Sequence, residues 1–280
     1  MSLGKLHYGT SSWSEKAWDG VFYPSGMPVS AQLPHYATQF RTVEADVTYY
    51  RVPDRRLVSG WAARTPEGFT ISAKFPRSIV HGGESATPDP ARVLVREHVA
   101  ADLERFLDAM ALLGPKCGPL VMQFPYFNKS VFKSAGEFRE RLGAFLDGLP
   151  AGFRYGVELR NKTWIDDELL GLLRRRNCAL VLVDLVYMPH PAELAERFDL
   201  VTADFSYARL IGDRKKIDAL TDTLDHVVLD QSERLEAWAG LARELLQRVG
   251  DVYVYANNHY AGFAPDTIRD LVARIESGNP

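Results

Sequence analysis

Eight short apolar runs punctuate this 280-residue chain, and nearly every one carries a polar or charged residue at or just past its C-terminal end. Runs of this kind read as strands buried on both faces, where an ionised side chain is expensive. Yet Glu44 lies in RTVEADVTYY, Lys74 ends FTISAK, and Gln123 ends PLVMQ. Glu158 and Arg160 close YGVELR, Asp184 ends ALVLVD, and Arg209 lies in FSYARLIG. Asn257, Asn258, His259 and Tyr260 follow VYVYA. Polar groups gathered at one end of a parallel β-barrel are how that architecture builds an active site.

The spacing places strands near 5–9, 42–47, 69–75, 119–124, 154–159, 179–184, 205–211 and 252–256. Helices fall near 30–40, 54–64, 90–113, 134–148, 165–177, 192–198, 232–248 and 266–276, with apolar residues three and four apart. Leu235, Trp238, Leu241, Leu245 and Val249 form the strongest stripe, which reads as core. Gly-bearing turns precede four of the strands, as expected where a helix stops and feeds a strand. Eight strands alternating with eight helices predict an α/β fold. The expectation is a single (β/α)8 TIM barrel over residues 1–280, with a closed parallel sheet and outer helices. A doubly wound open sheet is the rival, but Gly9-Thr10-Ser11-Ser12-Trp13 after the first strand is not its Gly-rich phosphate fingerprint.

Two long segments, Ser11 to Val29 and Arg77 to Asp89, follow strands and therefore belong at the C-terminal face. The first carries Trp13, Trp18, Phe22 and Tyr23, enough aromatic surface to cap the mouth; the second holds His81 and Gly82-Gly83 and reads as mobile. Ordinary surface loops are the plainer alternative.

Strand side chains alternate in direction, so each phase can be read. Glu44, Asp46, Thr48 and Tyr50 are expected inward, as are Lys74, Glu158, Arg160, Asn257 and His259. Gln123, Asp184, Tyr207 and Arg209 are expected at the interior or rim. Three acids (Glu44, Glu158, Asp184) balance three bases (Lys74, Arg160, Arg209), which fits a site or a buried ionic network that merely fills the mouth. Read as a site, Glu44 and Glu158 are general acid/base candidates. Lys74 neutralises developing charge, with a Schiff-base role as the lesser option. Arg160 and Arg209 grip an anion. Gln123, Asp184, His81, Asn257, Asn258, His259 and Tyr260 complete the substrate-binding set, although a lone His such as His259 or His81 is equally a scaffold residue.

The segments GTSSWSEKAWDGVFYP, FRTVEADVTYYRVP, WAARTPEGFTISAKFPRSIVH, LGPKCGPLVMQFP, VELRNKTW, TADFSYARLIG and VYVYANNHYAGFAP resemble, in order, the blocks of the YecE-like family of uncharacterised TIM barrels (domain of unknown function seventy-two). The resemblance implies a barrel fold and groups Glu44, Lys74, His81, Gln123, Glu158, Arg160, Asn257, Asn258, His259 and Tyr260 as one site. It implies no reaction.

The hydrophobic fraction of 46% and charged fraction of 25% are those of an ordinary globular protein, and a net charge of −3 argues against a general nucleic-acid or membrane-surface binder. Cys117 and Cys178 lack metal-ligand or redox spacing, which suits a reducing, cytoplasmic setting. The leading expectation is an enzyme that needs no cofactor and acts by acid/base chemistry on a small anionic polar metabolite, a sugar phosphate or nucleotide-like molecule. A second reading is a divalent-metal-dependent hydrolase or isomerase, with Glu158, Asp184 and His259 as ligands. The third is a non-catalytic binding module. Oligomeric state stays open.

Overall fold

The computed structural model describes residues 3–278. Its eight strands are β1 (Lys5–Thr10), β2 (Thr42–Ala45), β3 (Thr70–Lys74), β4 (Cys117–Gln123), β5 (Tyr155–Glu158), β6 (Cys178–Leu185), β7 (Phe205–Gly212) and β8 (Asp251–Ala256). Each neighbouring pair of these strands is parallel, and the hydrogen-bonded order is β1-β8-β7-β6-β5-β4-β3-β2. The helices outside this wall are α1 (Val29–Gln39), α2 (Arg55–Ala63), α3 (Arg77–Val80), α4 (Arg96–Ala111), α5 (Ala135–Asp147), α6 (Asp167–Arg174), α7 (Pro191–Ala195), α8 (Arg214–Leu220), α9 (Ser232–Arg248) and α10 (Ala264–Ser277). This is the expected TIM barrel rather than the open sheet.

The ends of the ladder, β1 and β2, are joined through a side chain. The Thr10 N–H donates to the Tyr36 hydroxyl at 2.8 Å, and that hydroxyl donates to the Thr42 carbonyl at 3.2 Å. A phenol delivered by α1 therefore stands where a direct main-chain bond would otherwise run. Gly9 lets the strands come this close: a Cβ there would lie 2.2 Å from the Thr42 carbonyl oxygen.

The barrel interior is layered. Towards its N-terminal end, Asp251 accepts from Arg154 at 2.8 Å and pairs with His7 at 2.7 Å, and the His7 ring stacks on Tyr253. Above lies an apolar and aromatic filling of Val121, Ala179, Val181, Phe205, Tyr207, Tyr253 and Tyr255. The Tyr255 hydroxyl bonds Thr42 Oγ1 at 2.6 Å and Ser72 Oγ at 2.9 Å. Such packed layers make the barrel a core rather than a pore, so a binding site has no room inside it and belongs at an end.

Several expectations change. The helix expected over 90–113 begins only at Arg96, α3 occupies the start of the segment expected to be loop, and α8 had no counterpart. The aromatic segment after β1 packs largely sideways: Trp18 sits edge-on to Phe263, and Phe22 stacks on Phe40. Trp18, Phe22 and Tyr23 are core, leaving Trp13 half-buried. The Arg77–Asp89 segment folds back on itself. Gly82 has φ +73°, and a Cβ there would meet the Val93 nitrogen at 2.5 Å. In α9 the apolar stripe is buried as expected.

Replacing Tyr36 by Phe strips the β1–β2 seam of its bridging hydroxyl and leaves a buried N–H and carbonyl unpaired. Urea unfolding is expected to register a loss of about 1–3 kcal/mol; an unchanged midpoint would show the seam does not depend on this bond.

Candidate functional site

The polar ends of β2, β3, β4, β5 and β7 converge on one guanidinium. Arg209 is 2% exposed, and Glu44 and Glu158 are fully buried. Arg209 Nε and Nη2 donate to Glu44 Oε1 at 3.2 and 2.9 Å. Its Nη1 donates to Gln123 Oε1 at 2.8 Å and also to Glu158 Oε2. The Tyr207 hydroxyl donates to the second Glu44 oxygen at 2.7 Å. Lys74 Nζ stands 3.6 Å from Glu44 Oε1, and Arg160 Nε donates to Glu158 Oε1 at 3.3 Å. Strand register accounts for this layer. Gln123 lies opposite Glu158, and Glu44 lies opposite Ser72, two residues before Lys74.

The electrostatics follow from this crowding. Burial pushes the Glu44 carboxyl up, but Arg209, Lys74 and the Tyr207 hydroxyl outweigh it and hold the group below its ordinary range. Glu158 behaves alike, with burial overcome by Arg209 and Arg160. Burial opposes charge on Arg209 too, yet the two carboxylates raise it above its ordinary value. For Lys74, burial and then Arg209 pull the ammonium below its usual value, against the attraction of Glu44. Burial raises half-buried Asp46, with Lys74 opposing. Two carboxylates are therefore fixed as anions, while an amine and a carboxyl beside them move towards neutrality.

Not every expected residue joins this layer. Asp184 points outward, towards the helices. Its carboxylate accepts from Trp238 Nε1 at 3.0 Å, from the Tyr260 hydroxyl at 2.8 Å and from Arg234, with His190 Nε2 at 3.4 Å. Val181 belongs to the inner filling, while Leu180 and Leu182 pack in the outer core, so Asp184 has the outward phase. Tyr260 is thereby a partner of Asp184 and not a residue of the mouth. Asn258 Oδ1 accepts from the Ala264 N–H at 2.9 Å at the start of α10. Asn257 accepts from the His259 N–H at 3.0 Å, and His259 Nε2 lies 3.5 Å from Asp218. His81 is buried against the Tyr49 hydroxyl at 2.8 Å. Glu158, Asp184 and His259 thus have different partners, and the metal-ligand set read from sequence is not assembled. Among the described residues no group of three or more His, Cys, Asp or Glu is placed to share an ion. β2 ends at Ala45 in a turn of 3-10 helix over Asp46–Tyr49, so its alternation stops there and Tyr50 is exposed rather than inward.

Two clefts flank the ionic layer. One, of about 360 Å³, lies over the ends of β1, β2 and β8 and is lined by Trp13, Glu15, Asp46, Asn257, Asn258 and His259 among others. The other, of about 600 Å³, lies over β4, β5 and β6 and includes Arg160. Sequence reasoning missed Arg234, whose signal was available: it sits one helical turn before Trp238 in α9. It also missed the second cleft, whose side chains come from loops without periodic pattern.

Fold and site together define a TIM-barrel protein with a buried ionic layer beneath a polar C-terminal mouth. The chain belongs to DUF72, a family of proteins of unknown function, whose sequence model matches residues 7–279. It is 31% identical over 160 residues to the UPF0759 protein YecE of Escherichia coli K12, a match that takes in 56% of this chain and 48% of that protein. The chain therefore spans about half the length of the curated relatives it matches. A DUF72 family protein of Thermotoga maritima superposes with a TM-score of 0.67 at 25% identity, covering 97% of this chain and 98% of that one. Another, from Enterococcus faecalis V583, gives 0.70 at 19% identity, covering 99% and 97%. Among the described residues, no helix is long and apolar enough to cross a membrane.

Substituting Arg209 by Met leaves Glu44 and Glu158 buried without their shared cation. At neutral pH this is expected to cost about 3–5 kcal/mol. The native carboxylates have lowered pKa values, so their stabilisation is present above the ordinary carboxylate range and is lost as pH falls through the depressed values. In the variant both titrate higher, so the difference between the two proteins narrows on acidification. Urea unfolding of both at neutral and mildly acidic pH reads this directly, and a pH-independent difference contradicts it.

Proposed function

We propose that this protein is an enzyme that moves a proton on a small anionic polar metabolite at the C-terminal mouth of its barrel. One observation carries the reading: the buried Lys74 amine, drawn below its ordinary pKa, stands 3.6 Å from a carboxylate fixed as an anion. An amine whose pKa is lowered in this way can serve as a general base. Asp46, raised by burial, is the neighbouring group able to give a proton back. Arg160 uses Nε on Glu158, and among the described residues its terminal nitrogens have no bond, so they are free to grip an anion.

The roles differ from those expected of residue types alone. Glu44, Glu158 and Arg209 satisfy one another and act as positioning residues: they fix the field around Lys74 and keep the floor of the mouth rigid. Gln123 serves the same end by accepting from Arg209. Asp46, Asn257 and His259 line the smaller cleft and Arg160 the larger, while Lys74 lines neither wall and would act through its small exposed fraction.

The test is a metabolite panel screened for turnover and for exchange of substrate hydrogen with deuterated water. Lys74→Met is expected to lower exchange by roughly 10²–10⁴-fold, the usual worth of a general base. In the native protein the rate falls as pH drops through the lowered Lys74 pKa, because protonation removes the base. Arg160→Gln raises KM with a smaller effect on kcat. A folded Lys74→Met protein with undiminished exchange refutes the reading, as does tight ligand retention without turnover across the panel.

A further inference from the structure

The second cleft is chemically unlike the rest of the surface. Its walls come from the segment after β4 and the segment after β5, with Tyr187 contributed from beyond β6. Lys129, Lys133, Lys162 and Arg160 line it, and no Asp or Glu does. The chain as a whole carries 36 acidic against 33 basic residues, so this concentration is local. Of the acids beside it in sequence, Asp166 and Glu168 bind Arg139, and Glu137 binds Arg141 and accepts from the Lys133 main-chain N–H. Among the described residues, none of the three lysines has a carboxylate partner in an ion pair, as holds for every lysine but Lys74, so what marks the cleft is their number around one concavity. Like charges left together around a concavity raise its affinity for an anion.

The same cleft offers flat apolar surface. Trp164 is half-buried in the wall and stacks on Phe127, with centroids 6.2 Å apart and planes 21° apart. Tyr126 and Tyr187 stand 64% and 49% exposed at its edge. The floor is rigid, because the Asn161 side chain both donates to the Phe127 carbonyl and accepts from its N–H, each at 2.8 Å. At about 600 Å³ the cleft is of the size that holds a small organic ligand.

We infer that this cleft binds a nucleoside mono- or diphosphate. Its base lies against Trp164 and the exposed tyrosines, and its phosphate lies on Arg160 and the lysines. A phosphorylated sugar without a base satisfies the cations but leaves the aromatic surface bare; a nucleoside without phosphate does the reverse. Arg160 joins the cleft to the catalytic mouth, with Nε on Glu158 and its terminal nitrogens free for the phosphate. The inference therefore deepens the proposed acid/base reading by naming its substrate class. It rests on that reading for the chemistry that follows binding, but not for binding itself.

Calorimetric titration of the full chain with adenosine 5′-diphosphate, adenosine 5′-monophosphate, ribose 5-phosphate, adenosine and a short oligothymidylate tests it. Both adenine nucleotides are expected to bind and to weaken as salt rises. Ribose 5-phosphate and adenosine are each expected to bind at least roughly tenfold more weakly, the lower range of what a stacked base contributes. Lys129→Gln with Lys162→Gln, and separately Tyr126→Ala with Tyr187→Ala, each lower affinity by about tenfold. These residues are exposed, so their variants keep the fold. Nucleotide binding without any hydrogen exchange overturns the catalytic reading and leaves this inference standing, which separates the two. No heat from either nucleotide at millimolar concentration overturns it. Equal affinity for ribose 5-phosphate or adenosine overturns it too, as does binding confined to the oligonucleotide, which would make the cleft a nucleic-acid site.

Discussion

Everything at the mouth depends on one guanidinium held between two carboxylates. Arg209 reaches Glu44 from β2, Gln123 from β4 and Glu158 from β5, so a single side chain on β7 ties together three other strands. A buried ionic cluster seldom stabilises a fold better than apolar filling of the same volume. What it does supply is a fixed field. With both carboxylates kept ionised and every Arg209 contact taken up by protein, the one cation left adjustable is Lys74, whose charge is opposed by burial and by Arg209 and supported by Glu44. The barrel filling below makes this possible. Tyrosine, serine and threonine hydroxyls bond one another beneath the ionic layer and leave the cluster no room to relax downward.

How far the sequence could be read depended on whether a strand alternates. In β8, VYVYA places Tyr253 and Tyr255 inward at sight, and TISAK does the same for Ser72 and Lys74. Glu44, Glu158 and Arg209 fell on the inner face for the same reason. β6 has no such contrast: CALVLVDL is apolar on both sides, so its phase is invisible and Asp184 appeared to belong to the interior. A register shift between β6 and β7 at Asp184 adds to the ambiguity. The outward phase becomes legible only with the partners in view, since Arg234 and Trp238 come from a helix some fifty residues further on.

Loops hid more. The first aromatic segment carried a composition suited to a lid, yet most of its rings are spent on packing against α1 and α10. Asp46 and Tyr50 were assigned by extending β2 beyond its real end. The basic cleft was opaque for a different reason: Lys129, Lys133 and Lys162 lie in stretches where nothing periodic says which way a side chain points. The net charge of −3 argues against a general basic surface but leaves a local excess of the opposite sign open.

The joint between the first and second strands has a further consequence. It runs through a tyrosine ring borrowed from α1, and the smaller cleft sits on top of it, lined by Thr10 and Ser11 on one side and by Ala45 and Asp46 on the other. The wall is thus weakest beneath a place where a guest molecule would rest. A molecule that binds there more tightly to one width of the seam than to another would shift it, so occupancy of that cleft and closure of the cylinder would then be linked equilibria.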